Sequence, residues 1–267
     1  LRDRNLAVLR SRQGPNDETL ALYRRVLEGQ RRGNGPDHPH TLGAMLNLAD
    51  ALVEMNRLDE AEPLLRDAVA RWERVHSSDK PGTLLALHNL AMFELRRGRP
   101  AEAEALMRRV VAGRERVLGR EHSETLGALV NLGTILHQSG KIVEAEAAFT
   151  SAWQRLRQAL GDTHTSTLIA SNQLVGVIAE QGWPQRSRDT VAALIDSARH
   201  AVQRSDVSAN ELNNLAYLFM QAEPAGLRDP QAAFTLAARA CEAERARSGS
   251  SLWMYLDTLA SAQFAAG

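Results

Sequence analysis

The chain has 267 residues, 44% of them apolar but only 4% aromatic, so small aliphatic side chains must fill its core. Lysine plus arginine and aspartate plus glutamate each number 32, which leaves no net charge to draw nucleic acid or an anionic membrane. Cys241 is the single cysteine, which excludes an intrachain disulfide and a cysteine-cluster metal site and suits a reducing compartment.

Ala, Leu, Arg and Glu dominate while β-branched and aromatic residues are thin, so an all-α chain is expected. No apolar run approaches the roughly 20 residues of a membrane span. Leu1-Arg2-Asp3-Arg4 has no signal-peptide pattern, and a cytoplasmic location is the expectation.

In chain order, Asn-Leu-Ala occurs at Asn5-Leu6-Ala7, Asn47-Leu48-Ala49 and Asn89-Leu90-Ala91, then as Asn131-Leu132-Gly133, each step being 42 residues. Thr41-Leu42, Thr83-Leu84, Thr125-Leu126 and Thr167-Leu168 keep the same step, as do Gly14, Asn56, Gly98, Gly140 and Gly182. Glu60-Ala61-Glu62 recurs at 102–104 and 144–146. Four columns in one register establish an internal repeat.

Within one period, Leu42 to Met55 carries helical apolar spacing, Asn56 can end that helix at positive φ, and Leu58 to Val75 begins a second helix. Gly35-Pro36-Asp37-His38-Pro39 breaks the chain, with Pro39 suited to a first helical turn and Asp37 or His38 near the cap. Each period therefore reads as an antiparallel helical hairpin. Ala49 with Ala61, Ala91 with Ala103, and Gly133 with Ala145 place small side chains where the paired helices meet closely. Tyr23, Leu65, Met107 and Phe149 share one larger column, and Val26, Ala68, Val110 and Ala152 another. A lone hairpin cannot cover such a face, so the hairpins must stack into a superhelical solenoid.

The run Gly-Pro-Asp-His-Pro-His-Thr-Leu at 35–42, followed by Asn-Leu-Ala and Glu-Ala-Glu, resembles the kinesin-light-chain type of tetratricopeptide repeat. The resemblance is good over residues 1 to 160 and implies a right-handed solenoid. It weakens where Gln173 replaces Asn and Arg186-Ser187 replaces Glu-Ala. We expect a kinesin-light-chain-like array over 1–204, its first repeat truncated and its repeat near 165–203 degenerate, and divergent tetratricopeptide units over 205–267. There Asn214-Leu215-Ala216 restores the motif before a longer turn from Ala222 to Asp229. Leu256-Asp257-Thr258-Leu259-Ala260 opens a last, incomplete unit. Both ends fall inside repeats, which reads as an excerpt of a longer protein. Bacterial arrays that look like this are often carried behind serine/threonine kinase or other signalling domains, so the resemblance implies the interaction or regulatory arm of a larger bacterial signalling protein, with the C-terminal part of such a kinase as an alternative, although no kinase motif is present here.

The resemblance implies a function: a scaffold that holds an extended peptide or partner protein in a concave groove lined by the first helix of each hairpin. Its Asn column implies that Asn47, Asn89 and Asn131, with Asn5 and Asn214 towards the ends, bond a peptide backbone, since a planar amide both donates and accepts. The alternative for these amides is bonding within the protein. Neighbouring positions expected to set specificity are Leu46, Asp50 and Glu54; His88, Met92 and Arg96; Val130, Thr134 and Gln138. Self-association through open repeat ends is the alternative function.

No phosphate loop, nucleophile elbow or paired His-Glu motif supports catalysis, and no cofactor is expected. His38, His40, His122 and His164 recur in linkers, which repetition explains without a metal. His76 and His200 are expected to face solvent. Arg96-Arg97, Arg108-Arg109 and Arg114-Glu115-Arg116 alternate with Glu and read as a solvated face, not as a nucleic-acid site. Trp72 and Trp153 are expected to pack between repeats; with Trp183 and Trp253 they form no stacking ladder.

Overall fold

The linkers set the fold, because they end one helix, turn the chain and open the next. A computed structural model of the chain describes residues 16–162, 164–182, 209–221, 229–246 and 252–266, with six positions between 189 and 196. It divides into two compact units, Leu1–Ser139 and Gly140–Gly267. Among the described residues every regular element is a helix.

The first unit holds α1 (Asp17–Asn34), α2 (Pro39–Glu54), α3 (Leu58–Val75), α4 (Pro81–Arg96), α5 (Pro100–Leu118) and α6 (Ser123–Gln138). The second holds α7 (Ile142–Leu160), α8 (Thr165–Glu180), α9 (Ala209–Gln221), α10 (Pro230–Ala246) and α11 (Leu252–Ala266). Consecutive helices pack on one another through α1 to α6, and the first helices α2 and α4 of adjacent repeats also touch. In the second unit α7 packs on α8, and α9, α10 and α11 form a separate cluster that reaches α8 through α9. The stacked helical hairpins expected from the repeat are thus present. The expected boundary at 204/205 lies outside the described residues. Helix α11 starts at Leu252, ahead of the expected Leu256.

Three local devices recur with the period. Pro39 sits in the first turn of α2, and His38 caps that helix: its Nδ1 accepts the His40 N–H at 3.2 Å. His122 and His164 do the same for Glu124 and Ser166, each at 3.2 Å. These histidines are therefore N-caps, supplying an acceptor to an orphan amide of the first turn. The buried threonine column ties three linkers to the helices they open: Thr41 donates to the Gly35 carbonyl at 2.7 Å, Thr83 to Ser77 at 3.0 Å and Thr125 to Gly119 at 2.9 Å, whereas the hydroxyl of Thr167 is buried without a partner among the described residues.

At the other end of the first helix, Asn56 takes φ 59° and Gly98 and Gly140 take φ 74°. A left-handed residue there lets Arg57 N–H reach the Leu52 carbonyl at 2.8 Å and Arg99 N–H the Glu94 carbonyl at 2.9 Å. This is the Schellman closure, and it explains why only Asn or Gly fills the column.

Ala49, Ala61, Ala91 and Ala103 are fully buried at the hairpin contacts, and Leu65, Met107 and Phe149 fill the next layer. Burying each such large side chain contributes about 1.5–3 kcal/mol. Tyr23, in the same column, is only half-buried. Trp72 and Trp153 are buried, as expected. His76 departs from expectation: it is half-buried, its ring lies 4.7 Å from that of Trp72, and its Nε2 is shut off from solvent. One turn after Trp72, it shares that ring's buried face. His200 and Trp183 lie outside the described residues.

Arginines link neighbouring repeats across 36 or 37 residues. Arg24 holds Glu60 and Arg66 holds Glu102, both at 2.9 Å. Arg116 and Arg109 hold Asp79 and Glu73 of the preceding repeat. Arg97, Arg109 and Arg116 of the basic runs are spent in this lattice, whereas Arg96 makes no ion pair among the described residues and Arg114 is buried. Among the described residues no helix is long and apolar enough to cross a membrane.

Candidate peptide-binding groove

The asparagine column lies on the first helices α2, α4 and α6, one residue before the buried Leu-Ala or Leu-Gly that packs each hairpin. That offset turns the amides away from the core. Asn47 is exposed and Asn89 and Asn131 are half-buried. Asn89 donates to both oxygens of Asp50, at 3.1 and 3.2 Å, across the step from α4 to α2. For Asn89, then, the amide hydrogens are engaged within the protein. Neither the Asn47 nor the Asn131 side-chain amide has a protein hydrogen-bond partner among the described residues. Asn5 and the side chain of Asn214 lie outside the described residues.

Two adjoining cavities share Asp50 and Asn89. The first is walled by Tyr23 and Gln30 of α1, by Leu46 and Asn47 of α2, and by Leu85 of α4. The second is walled by His88, Met92 and Arg96 of α4 and by Gln138 of α6. Eight expected residues therefore gather around this groove: Leu46, Asn47, Asp50, Asn89, His88, Met92, Arg96 and Gln138. Glu54, Asn131 and Thr134 line neither cavity, and Thr134 gives its hydroxyl to the Val130 carbonyl of its own helix at 3.2 Å. Leu46 and Val130, expected to set specificity, are buried; directly preceding the asparagine, they point into the core, and Leu46 serves only as groove floor.

The residue that the sequence reading passed over is Leu85, which is 46% exposed although apolar. It stands four positions before Asn89, hence on the same helical face. Stepping back four residues from each asparagine gives Gly43, Leu85 and Gly127, and that spacing was the available signal.

Two titratable groups in the groove are displaced from their ordinary values. Asp50 opens to solvent along the groove, yet the surrounding helices remove enough water to raise its carboxyl to about 6, with Glu54 adding to the rise and the Asn89 bond opposing it. His88 is held down to about 4, chiefly by burial and then by Arg114, and its Nδ1 is buried without a partner. It is a neutral ring at physiological pH.

Residues 3–74, 44–116 and 82–158 each match the tetratricopeptide repeat family. A search of curated proteins gave no match. Among solved structures, the nearly identical kinesin-light-chain TPR-like repeats of Podosopora anserina are 25% identical, covering 76% of this chain and 96% of theirs, with a TM-score of 0.65. BtubC from P. vanneervenii is 19% identical over 86% of this chain and 91% of its own, with a TM-score of 0.64. A STAND protein with a tetratricopeptide repeat sensor from Pyrococcus horikoshii is 12% identical, covering 99% of this chain and 38% of its own, with a TM-score of 0.67. The family matches extend over more than half of the sequence in the register set by Asn-Leu-Ala, and the chain belongs to the tetratricopeptide repeat family.

Proposed function

We propose that this protein-interaction scaffold works without catalysis, by holding an extended peptide segment of its partner in the groove of α1, α2, α4 and α6. The observation that carries the reading is the combination, on one face, of an unpartnered amide at Asn47, an exposed apolar side chain at Leu85 and an open carboxylate at Asp50. Such a face offers backbone bonding, an apolar anchor and a polar group that fixes orientation, which is what peptide grooves combine. A site for chemistry would instead need a nucleophile and base in reach of one another. His88, the neutral ring of the groove, has no hydrogen-bond partner at its buried Nδ1.

The test is selection of short random peptides on the whole chain, followed by affinity measurements on the variant carrying Asn47→Ala and Asn89→Ala. Affinity should fall by about tenfold or more, equivalent to about 1.4 kcal/mol, with helicity and melting temperature nearly unchanged. Full affinity in that variant would remove the groove assignment. Light scattering of the same preparation should show a monomer; a dimer dissociated by the peptide would favour self-association instead.

A further inference from the structure

Carboxylates of the first unit are, as a rule, matched with arginine: Asp37, Glu62, Glu73, Asp79, Glu94 and Glu102 each hold one. Asp50 breaks the rule. It forms no ion pair among the described residues, and the hydrogen bonds it accepts come from the neutral amide of Asn89. Glu54, one turn further along α2, is likewise without a cation. Like charges four residues apart on a helix repel, so the pair is a cost in the isolated chain. Arg96 lines one of the same cavities, yet it makes no ion pair with Asp50.

Beside this unmatched negative charge stands Leu85, exposed and apolar, with Val26 on the α1 side of the same cavity. An apolar wall leading to a lone carboxylate is complementary to a lysine or arginine, whose methylene stem covers apolar surface while its head carries the charge. Resting on the groove reading above, we propose that the occupant is an extended peptide bearing a lysine or arginine, whose cation seats on Asp50 while Asn89 holds the carboxylate in place.

The titration of Asp50 near 6 supports this seat, since an arriving cation favours the ionised form. Binding therefore releases protons around that pH and weakens below it. The other charged and titratable groups lining the groove are Tyr23 of α1, His40 of α2, and His88 and Arg96 of α4, and Glu54 of α2 acts on Asp50 from one turn away. His88, held near 4, stays neutral through the window in which Asp50 titrates.

The experiment selects random short peptides on the full chain and on Asp50→Asn and Asp50→Lys, with circular dichroism confirming that each variant is folded. The native chain should enrich lysine or arginine at one fixed position. Asp50→Asn should lose that preference and bind the native winner about tenfold or more weakly, and Asp50→Lys should prefer aspartate or glutamate at the same position. Anisotropy with the labelled native winner should show weaker binding at pH 5 than at pH 7.5, a difference absent in Asp50→Asn. Winners with no fixed basic position that still lose affinity in the Asn47→Ala, Asn89→Ala variant would overturn the cation seat and leave the groove standing. No enrichment, or winners insensitive to both sets of changes, would overturn both.

Discussion

The step from α3 to α4 and the step from α5 to α6 occupy the same place in successive repeats, yet they are built from opposite chemistry. In the first, the buried ring of Trp72 fills the space over Gly82, so closely that a β-carbon there would come within 2.2 Å of its Cη2. In the second, 42 residues on, Arg114 stands where Trp72 stood and Glu124 where Gly82 stood. The guanidinium donates to the Glu124 carbonyl at 2.9 Å, and its other nitrogen lies 3.7 Å from the carboxylate. What repeats is therefore a volume between two helices, which a large ring over a glycine or a buried cation over a carbonyl fills equally well. The glycine and the tryptophan are one feature, as are the glutamate and the arginine.

The largest effect expected from breaking this arrangement is Trp72→Ala, which empties the first interface and should cost about 3–5 kcal/mol by urea unfolding. A loss under about 1 kcal/mol would mean the ring is not structural. Next is Gly82→Ala, whose methyl must displace a rigid ring and should cost about 1–3 kcal/mol. Its internal control is Gly113→Ala, where the new methyl meets the Cδ2 of Leu84 at 2.4 Å, the movable end of a flexible side chain. That change should cost less than about 1.5 kcal/mol, and a larger cost than Gly82→Ala would invert the packing argument. Importing the other solution, Trp72→Arg with Gly82→Glu, should lose less stability than its single changes summed, with a coupling of about 0.5–3 kcal/mol. Strict additivity would show the two positions to be independent.

The smallest effect sharpens the electrostatic side of the comparison. Arg114→Leu removes the lesser of the two influences on His88, so an NMR titration should find its pKa modestly above about 4 while burial still holds it below the ordinary 6.5. Because the folded value is depressed, the stability linked to His88 is present above the unfolded value and is lost as pH falls from 6.5 towards 4. Asp50 runs the other way: its folded value is raised, so its contribution to stability improves as pH falls through about 6 towards 3.8. Asp50→Asn should accordingly be the more stable protein at pH 7, by on the order of 1 kcal/mol once solvent screening is allowed for. A less stable Asp50→Asn would show that the Asn89 bond outweighs desolvation.

Features confined to one period were legible in the sequence. Asn56 and Gly98 had to be turn residues because few others accept positive φ, and the alanine pairs had to be close contacts because nothing larger fits. The threonine column was visible as a register mark, but its bond to the carbonyl six residues earlier was not read from it. The histidines were seen to repeat, while their work as caps depends on a ring rotamer. Of what joins one period to the next, the buried tryptophans were expected but the polar links were not. Arg66 to Glu102 spans 36 residues and Asn89 to Asp50 spans 39, separations fixed by how hairpins stack and by no local rule. The groove was half legible for the same reason. Its asparagines announced themselves by repetition, whereas Leu85 stands between Gly43 and Gly127 in the flanking repeats, and the isolation of Asp50 appears only when the ion pairs of the surrounding repeats have been traced.

The paired identity of the filling at each step bears on how such a chain can change length. Removing one whole 42-residue period that starts and ends inside a first helix keeps the caps, turns and threonine ties intact, because each is internal to its own segment. A junction between α3 and the opening of α6 is different: it would set the Trp72 ring against Glu124, where a glycine is needed, and leave that carbonyl without its donor. Deletion of a period is thus tolerated at some seams and refused at others, and the Trp72 and Arg114 steps mark where two periods are not interchangeable.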